Sequence, residues 1–287
     1  MSPDRSQAAY AASAADLALR ALDALRGVGG TAMVADHVEQ ADDPKAALAA
    51  VRIVGADLFA PCLLADAAFQ PADAAAVAQS FAVFPPPVST PPPPPEGPAE
   101  PWLAAWRDWA TAALLARFAG AGTSGPHAPG AAADGPAADD GGPESALATD
   151  IGGALAPQPG VAPEPEEADG AAVGPTDASV PDATWQTWSV RMGQLSPLAL
   201  PGLDGPVHAT ARAAPLALAR GATRAVLRRD FPTAARIARW LALLAAEGRR
   251  LPLDPVPLVV HLGLHGGGPR LALDVAIARR LLAVEDA

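Results

Sequence analysis

The stretch Asp230-Phe231-Pro232-Thr233-Ala234-Ala235-Arg236-Ile237-Ala238-Arg239-Trp240-Leu241-Ala242-Leu243-Leu244-Ala245-Ala246-Glu247 decides the fold class. Its large apolar residues Ile237, Trp240, Leu241 and Leu244 recur at three- and four-residue spacing. That is the stripe of an amphipathic helix over 231–247, not the alternation of a strand. Moving outward, a helix is expected over 215–229. A final one buries Leu271, Val275, Ala278 and Leu282 behind the turn Gly266-Gly267-Gly268-Pro269. Toward the amino terminus, Leu17, Ala18, Ala21, Leu22 and Leu25 mark a helix over 6–26, stopped by Gly27 and Gly29-Gly30. A second is expected over 31–40. Asp42-Asp43-Pro44 reads as the start of a third, with Ala47, Val51, Val54 and Leu58 on one stripe and Pro61 as its breaker. A fourth is expected over 71–82. The expected fold is all-α: short helical hairpins or a small helical bundle, interrupted by a long disordered linker.

The interruption is written in charge. Between Arg117 and Arg191 there is no lysine or arginine, while eleven acids fall from Asp134 to Asp182. Through residue 183 the chain has 7 bases and 24 acids, a net of −17; from residue 184 it has 13 bases and 7 acids, a net of +6. Residues 120–183 are Gly, Ala, Pro and acid with almost no large apolar side chain. Such a segment cannot bury enough surface to offset about 1–2 kcal/mol per residue of backbone ordering. The expected organisation is an N-terminal helical region (1–84), a proline-rich spacer (85–101), a tryptophan-bearing helix (102–119), an acidic linker (120–183) and a basic C-terminal helical region (184–287). The first and last regions are free to pack as one body. Pro91 to Pro95 favour an extended polyproline spacer.

The arrangement Ile237-Ala238-Arg239 recurs as Ile277-Ala278-Arg279, and Leu241 matches Leu281. Asp42, Pro44, Ala46, Ala47 and Ala50 align with Asp230, Pro232, Ala234, Ala235 and Ala238. Small residues at fixed spacing let paired helices approach closely. The run Asp230-Phe231, Ala234, Ala238 resembles the second helix of a tetratricopeptide-type hairpin, limited to segments around 42–58, 220–245 and 270–283. The repeat spacing is 40 residues rather than that family's 34. The resemblance implies a protein-interaction scaffold.

Several constellations invite chemistry. The apolar run ending in His265-Gly266-Gly267-Gly268 looks like the oxyanion-hole segment of α/β-hydrolase esterases. Only 19 residues follow Gly268 and no Gly-x-Ser-x-Gly exists in the chain, so a glycine-rich hairpin turn is the reading adopted. His261 and His265, four apart, would share one face of a helix and could chelate zinc, with a third ligand drawn from Asp254, Asp274 or His208. No glutamate lies between them. Cys62 reads as a small core residue, and Ser124 falls in the linker.

The basic residues Arg220, Arg224, Arg228 and Arg229 form the candidate binding stripe, since arginine offers bidentate donors to carboxylates and phosphates. Trp102, Trp106 and Trp109 at i, i+4, i+7 form the candidate docking stripe, facing either a partner groove or the chain's own body. The functional expectation is a non-catalytic helical adaptor without cofactor, its partners being proteins, acidic ones in particular. The alternatives are a nucleic-acid-associated protein using the arginine stripe and a metal-dependent enzyme built on the histidine pair. A homo-oligomer is compatible with all three. A single cysteine, no signal-peptide pattern and no apolar run of about 18 residues lead to the expectation of a cytoplasmic chain without membrane attachment.

Overall fold

Proline starts most of the helices. In the computed structural model, which describes residues 3–28, 33–86, 100–121 and 184–284, α3 (Pro44–Val54), α5 (Pro71–Val83), α8 (Pro206–Ala213), α9 (Pro215–Leu227) and α11 (Pro255–Gly263) each begin on proline. In α10 (Phe231–Ala246) and α12 (Gly268–Leu281) it occupies the second position. The first turn is where proline's missing N–H costs nothing. An aspartate caps three of these starts. Asp43 accepts from the N–H groups of Lys45 and Ala46, Asp230 from Thr233 and Asp254 from Val256. The remaining elements are α1 (Pro3–Leu25), α2 (Met33–Glu39), α4 (Ala60–Leu64), α6 (Glu100–Ala121) and α7 (Trp185–Gln194), with 3₁₀ turns at Gly55–Phe59 and Ser196–Leu198. The described residues contain no strand, so the all-α expectation holds.

One core joins residues from both sides of the acidic stretch. Leu17, Leu25, Val51 and Phe59 pack in the same cluster as Leu198, Leu200, Leu218, Ile237, Trp240 and Ile277. Residues 3–121 and 184–284 thus fall in one compact unit. A smaller cluster lies among α9 to α12, where Ala225, Ala234, Ala235, Ala238, Ala242 and Ala278 meet Val259, Leu262, Leu271 and Val275. Both members of the repeat lie on packed helices, α10 and α12. Their isoleucines turn into the main core and their alanines into the smaller one.

Four expectations change. The third helix does not continue to Pro61. It ends at Val54, where Gly55 turns at φ 63°, and a Cβ there would lie 3.1 Å from Thr111 Oγ1 on α6. Pro61 does not break a helix but sits in the first turn of α4. Residues 255–263 are helical, not the strand of a hairpin, because Asp254 and Pro255 supply a helix start and Val259 and Leu262 share the buried face. Finally, the run Pro44–Leu64 is 21 residues of mean hydropathy 1.8, long and apolar enough to cross a membrane by composition. It is divided among three elements, and 72% of its most apolar window is buried inside the protein. The linker assigned to 120–183 begins inside α6, which runs to Ala121; the rest of it, with Ser124, and most of the proline spacer lie outside the described residues.

Candidate functional site

Arg239 projects from the buried face of α10 into the junction between the amino- and carboxy-terminal helices and is fully shielded from solvent. A buried guanidinium requires anionic partners. Its Nη2 donates to Asp57 Oδ1 at 2.6 Å and its Nη1 to Asp274 Oδ1 at 2.8 Å. Asp57 comes from the 3₁₀ turn after α3, and Asp274 from α12. Arg270, one turn earlier on α12, donates to both carboxylates. Arg236 approaches Asp274 from α10 at 3.8 Å. Three arginines against two aspartates leave this knot with one net positive charge.

Burial opposes the charge on Asp57, but Arg239 and Arg270 outweigh it and hold the carboxyl below the usual carboxylate range. Burial likewise works against Arg270, yet Asp274 and Asp57 raise it above an ordinary guanidinium. Both aspartates are shielded, whereas the side chains of Arg270 and Arg236 are 26% and 37% exposed. The knot therefore keeps its negative charge inside and shows its positive charge outside.

That positive side opens on a cleft of about 390 Å³. Arg236 and Arg270 line it, together with Arg107 of α6, Gln194 of α7 and Ser196 of the following turn. Its apolar wall is Ala11, Ala14 and Ala15 of α1 with Ile53 and Val54 of α3. Ser196 is 1% exposed, and its Oγ makes no hydrogen bond. The site gathers cationic donors beside an apolar wall, a combination suited to an anionic group carried on an aliphatic stem.

The sequence-selected residues are placed elsewhere. Arg220 and Arg228 are exposed and Arg224 is half-buried, with its guanidinium 5.9 Å from the Trp185 ring centre. Arg228 follows the last residue of α9. Arg229, at φ 59°, closes the turn into α10 and is also exposed. Arg224 and Arg228 border a separate shallow cleft with Asp230. Trp106 is 4% exposed in the main core, and Trp109 packs beside it with ring centres 5.3 Å apart. Of the two roles weighed for the tryptophan stripe, Trp106 serves the protein's own interior; the Trp102 side chain lies outside the described residues. On α6 the buried stripe runs through Leu103, Trp106, Ala110 and Leu114.

Cys62 is half-buried, and burial with the nearby Asp73 charge pushes its thiol up to about 11, away from a reactive thiolate. His208 is buried and its ring Nε2 meets Leu198 O at 2.9 Å. His261 and His265 stand at the end of α11 with their Nε2 atoms 3.2 Å apart. Asp254 and Asp274 are engaged in capping and in the arginine knot, so neither completes a metal site with the pair. No cluster of three or more His, Cys, Asp or Glu with metal-binding geometry occurs among the described residues.

The cleft was not legible from the sequence. Its arginines come from three helices, and nothing local distinguishes Arg236 or Arg107 from a solvated arginine. The one available signal was Arg239, an arginine placed within the apolar stripe of α10.

Comparison of the chain with protein-family models, with curated proteins and with solved structures returns no match.

Proposed function

We propose that this chain is a non-catalytic helical binding module that recognises an acidic segment of a partner protein. The observation that carries the reading is the cleft lined by Arg107, Arg236 and Arg270 against an alanine wall. A glutamate or aspartate side chain fits this chemistry. Its carboxylate accepts charge-assisted hydrogen bonds from Arg236 and Arg270 while its methylenes lie on the alanine wall. A nucleic-acid backbone would bring phosphates without that aliphatic body. The resemblance of α10 to helical-hairpin scaffolds agrees with an interaction role.

The charge of the carboxy-terminal part, though not that of the chain as a whole at −11, also supports the reading. A net of +6 from residue 184 onward favours encounter with acidic partners and predicts salt-sensitive association. Cys62, with its raised thiol pKa, and Asp57 and Asp274, committed to arginines, are poorly suited to nucleophilic or acid–base work.

The test is calorimetric titration of the full chain with a glutamate-rich peptide and its glutamine counterpart. Binding of the glutamate peptide alone is expected. Arg236→Ala removes charge-assisted donors worth about 1.5–3 kcal/mol and weakens binding by about tenfold or more. Failure of the glutamate peptide to bind, or an affinity indifferent to Arg236→Ala, would overturn the proposal. Binding to mixed RNA that disappears on substituting Arg220, Arg224 and Arg228 would instead favour a nucleic-acid role for the α9 stripe.

A further inference from the structure

The carboxy-terminal end of α11 holds two imidazoles in an arrangement independent of the cleft. His261 sits in the last turn of α11 and His265 two residues past its end, where the chain turns and brings the two rings together. Their Nε2 atoms are 3.2 Å apart. Two nitrogens bound to one tetrahedral zinc at about 2.0–2.1 Å are separated by ~3.3 Å, and by ~2.9 Å at the right angle of a square-planar or octahedral ion. The observed separation lies between these values. The two nitrogens, which here share a hydrogen bond, are thus spaced as a pair of ligands on one metal ion would be.

The pair is also held in place. Phe231, at the start of α10, stacks on the His265 ring with centroids 3.8 Å apart and planes within 5°. It meets the His261 ring edge-on at 6.3 Å. The two imidazole planes cross at 77°. Phe231 thus limits rotation of His265, as a supporting group does around a metal ligand. Helix polarity acts in the same direction, since the last carbonyls of a helix favour nearby positive charge. His261 is exposed and His265 half-buried, so an ion reaches the site directly from solvent.

We infer that His261 and His265 form a two-point chelate for an imidazole-preferring divalent transition metal, Cu²⁺, Ni²⁺ or Zn²⁺, leaving the ion's remaining positions open to water or to an external ligand. The donor set excludes Mg²⁺ and Ca²⁺ as good occupants, because those ions require oxygen ligands. Affinity follows the order Cu²⁺, then Ni²⁺, then Zn²⁺.

Titration of the metal-free full chain with NiCl₂ and with ZnCl₂, followed by calorimetry, tests this. One equivalent is expected to bind per chain, with none for MgCl₂. His261→Gln, at an exposed position where folding is not at stake, removes that equivalent. His265→Gln does the same, and Phe231→Leu weakens it by about tenfold while keeping both ligands. Far-ultraviolet circular dichroism of each variant confirms the fold. Metal binding that persists unchanged in both histidine variants, or the absence of any saturable binding at neutral pH, would overturn the assignment. In the second case the two rings would share only a hydrogen bond.

Discussion

Replacing Arg239 by methionine is expected to be the most damaging single substitution in this protein. Methionine keeps the length and apolar stem but removes the cation. Asp57 and Asp274 then remain shielded with Arg270 as their nearest common partner, and the 2.6 Å and 2.8 Å contacts are lost. The burial that already opposes ionisation of Asp57 is no longer balanced by its strongest ally. Removing one member of a buried ion pair costs about 3–5 kcal/mol, because an uncompensated charge is left inside. That is a large share of a typical domain stability of roughly 5–15 kcal/mol.

Urea denaturation followed by circular dichroism reads the effect as a lower midpoint at unchanged slope. Arg212→Met provides the contrast. Arg212 makes comparably short contacts to Asp204 and Glu247, but Asp204 is 73% exposed and water replaces what is lost. A much smaller change is expected there. Replacing Arg239, Asp57, Arg270 and Asp274 together with apolar residues should cost less than Arg239→Met alone, since no charge is then stranded. If Arg239→Met lowers stability by less than about 1 kcal/mol, the corresponding cost of an exposed pair, the reasoning about the knot fails.

Three further outcomes are expected. Burial holds His37 and His208 below the ordinary value of 6.5, so the unfolded chain takes up protons that the native one refuses; stability present above pH 6.5 is lost as pH falls through that value. Asp73 and Asp108, raised by burial, act in the opposite sense. A urea midpoint that drops between pH 7.5 and 5.5, with a flatter profile in His208→Gln, is the expected reading; an identical profile in the variant contradicts it. Gly221→Ala would place a Cβ 2.3 Å from Ser189 Cβ, where α9 meets α7, and is expected to destabilise by about 1–3 kcal/mol by overpacking; an unchanged urea midpoint would refute that close approach. Deleting residues 126–176 removes nine acids from the same chain as the cleft; the glutamate-peptide affinity is expected to rise, most at low salt, and an unchanged affinity counts against competition by that segment.

The helices were legible because their signals are local. Pro44, Pro71, Pro215 and Pro232 mark starts, and the stripe Ile237, Trp240, Leu241, Leu244 is buried as its spacing requires. Four helices, α4, α7, α8 and α11, were not read from the sequence, and two of them illustrate why. α8 is short, only eight residues with valine and alanine as its apolar side chains, so its stripe of Val207 and Ala211 is faint and Pro206 is the main start signal. α11 is so apolar from Val256 to Leu262 that its period disappears, and its valines suggest a strand; the cap at Asp254 was the better clue. The tryptophan stripe was displaced by partial drift around α6. Leu103 and Ala110 are buried with Trp106, whereas Trp109 lies at the edge.

The knot and the cleft were illegible for a different reason. Asp57 and Arg239 are 182 residues apart, and their meeting depends on how the two halves dock. Formal charge counting points to α9 and the turn after it, where Arg220, Arg224, Arg228 and Arg229 cluster in sequence. Three-dimensional packing instead gathers Arg107, Arg236 and Arg270, no two of which are neighbours in the chain.

The account therefore rests on which arginines meet an acidic ligand. Arginine Nε–Hε resonances of the full chain, followed by nuclear magnetic resonance during titration with the glutamate-rich peptide, answer this directly. The account predicts saturable shifts at Arg107, Arg236 and Arg270 with little change at Arg220, Arg224 and Arg228. Shifts confined to the α9 arginines, or none at any arginine, would contradict it.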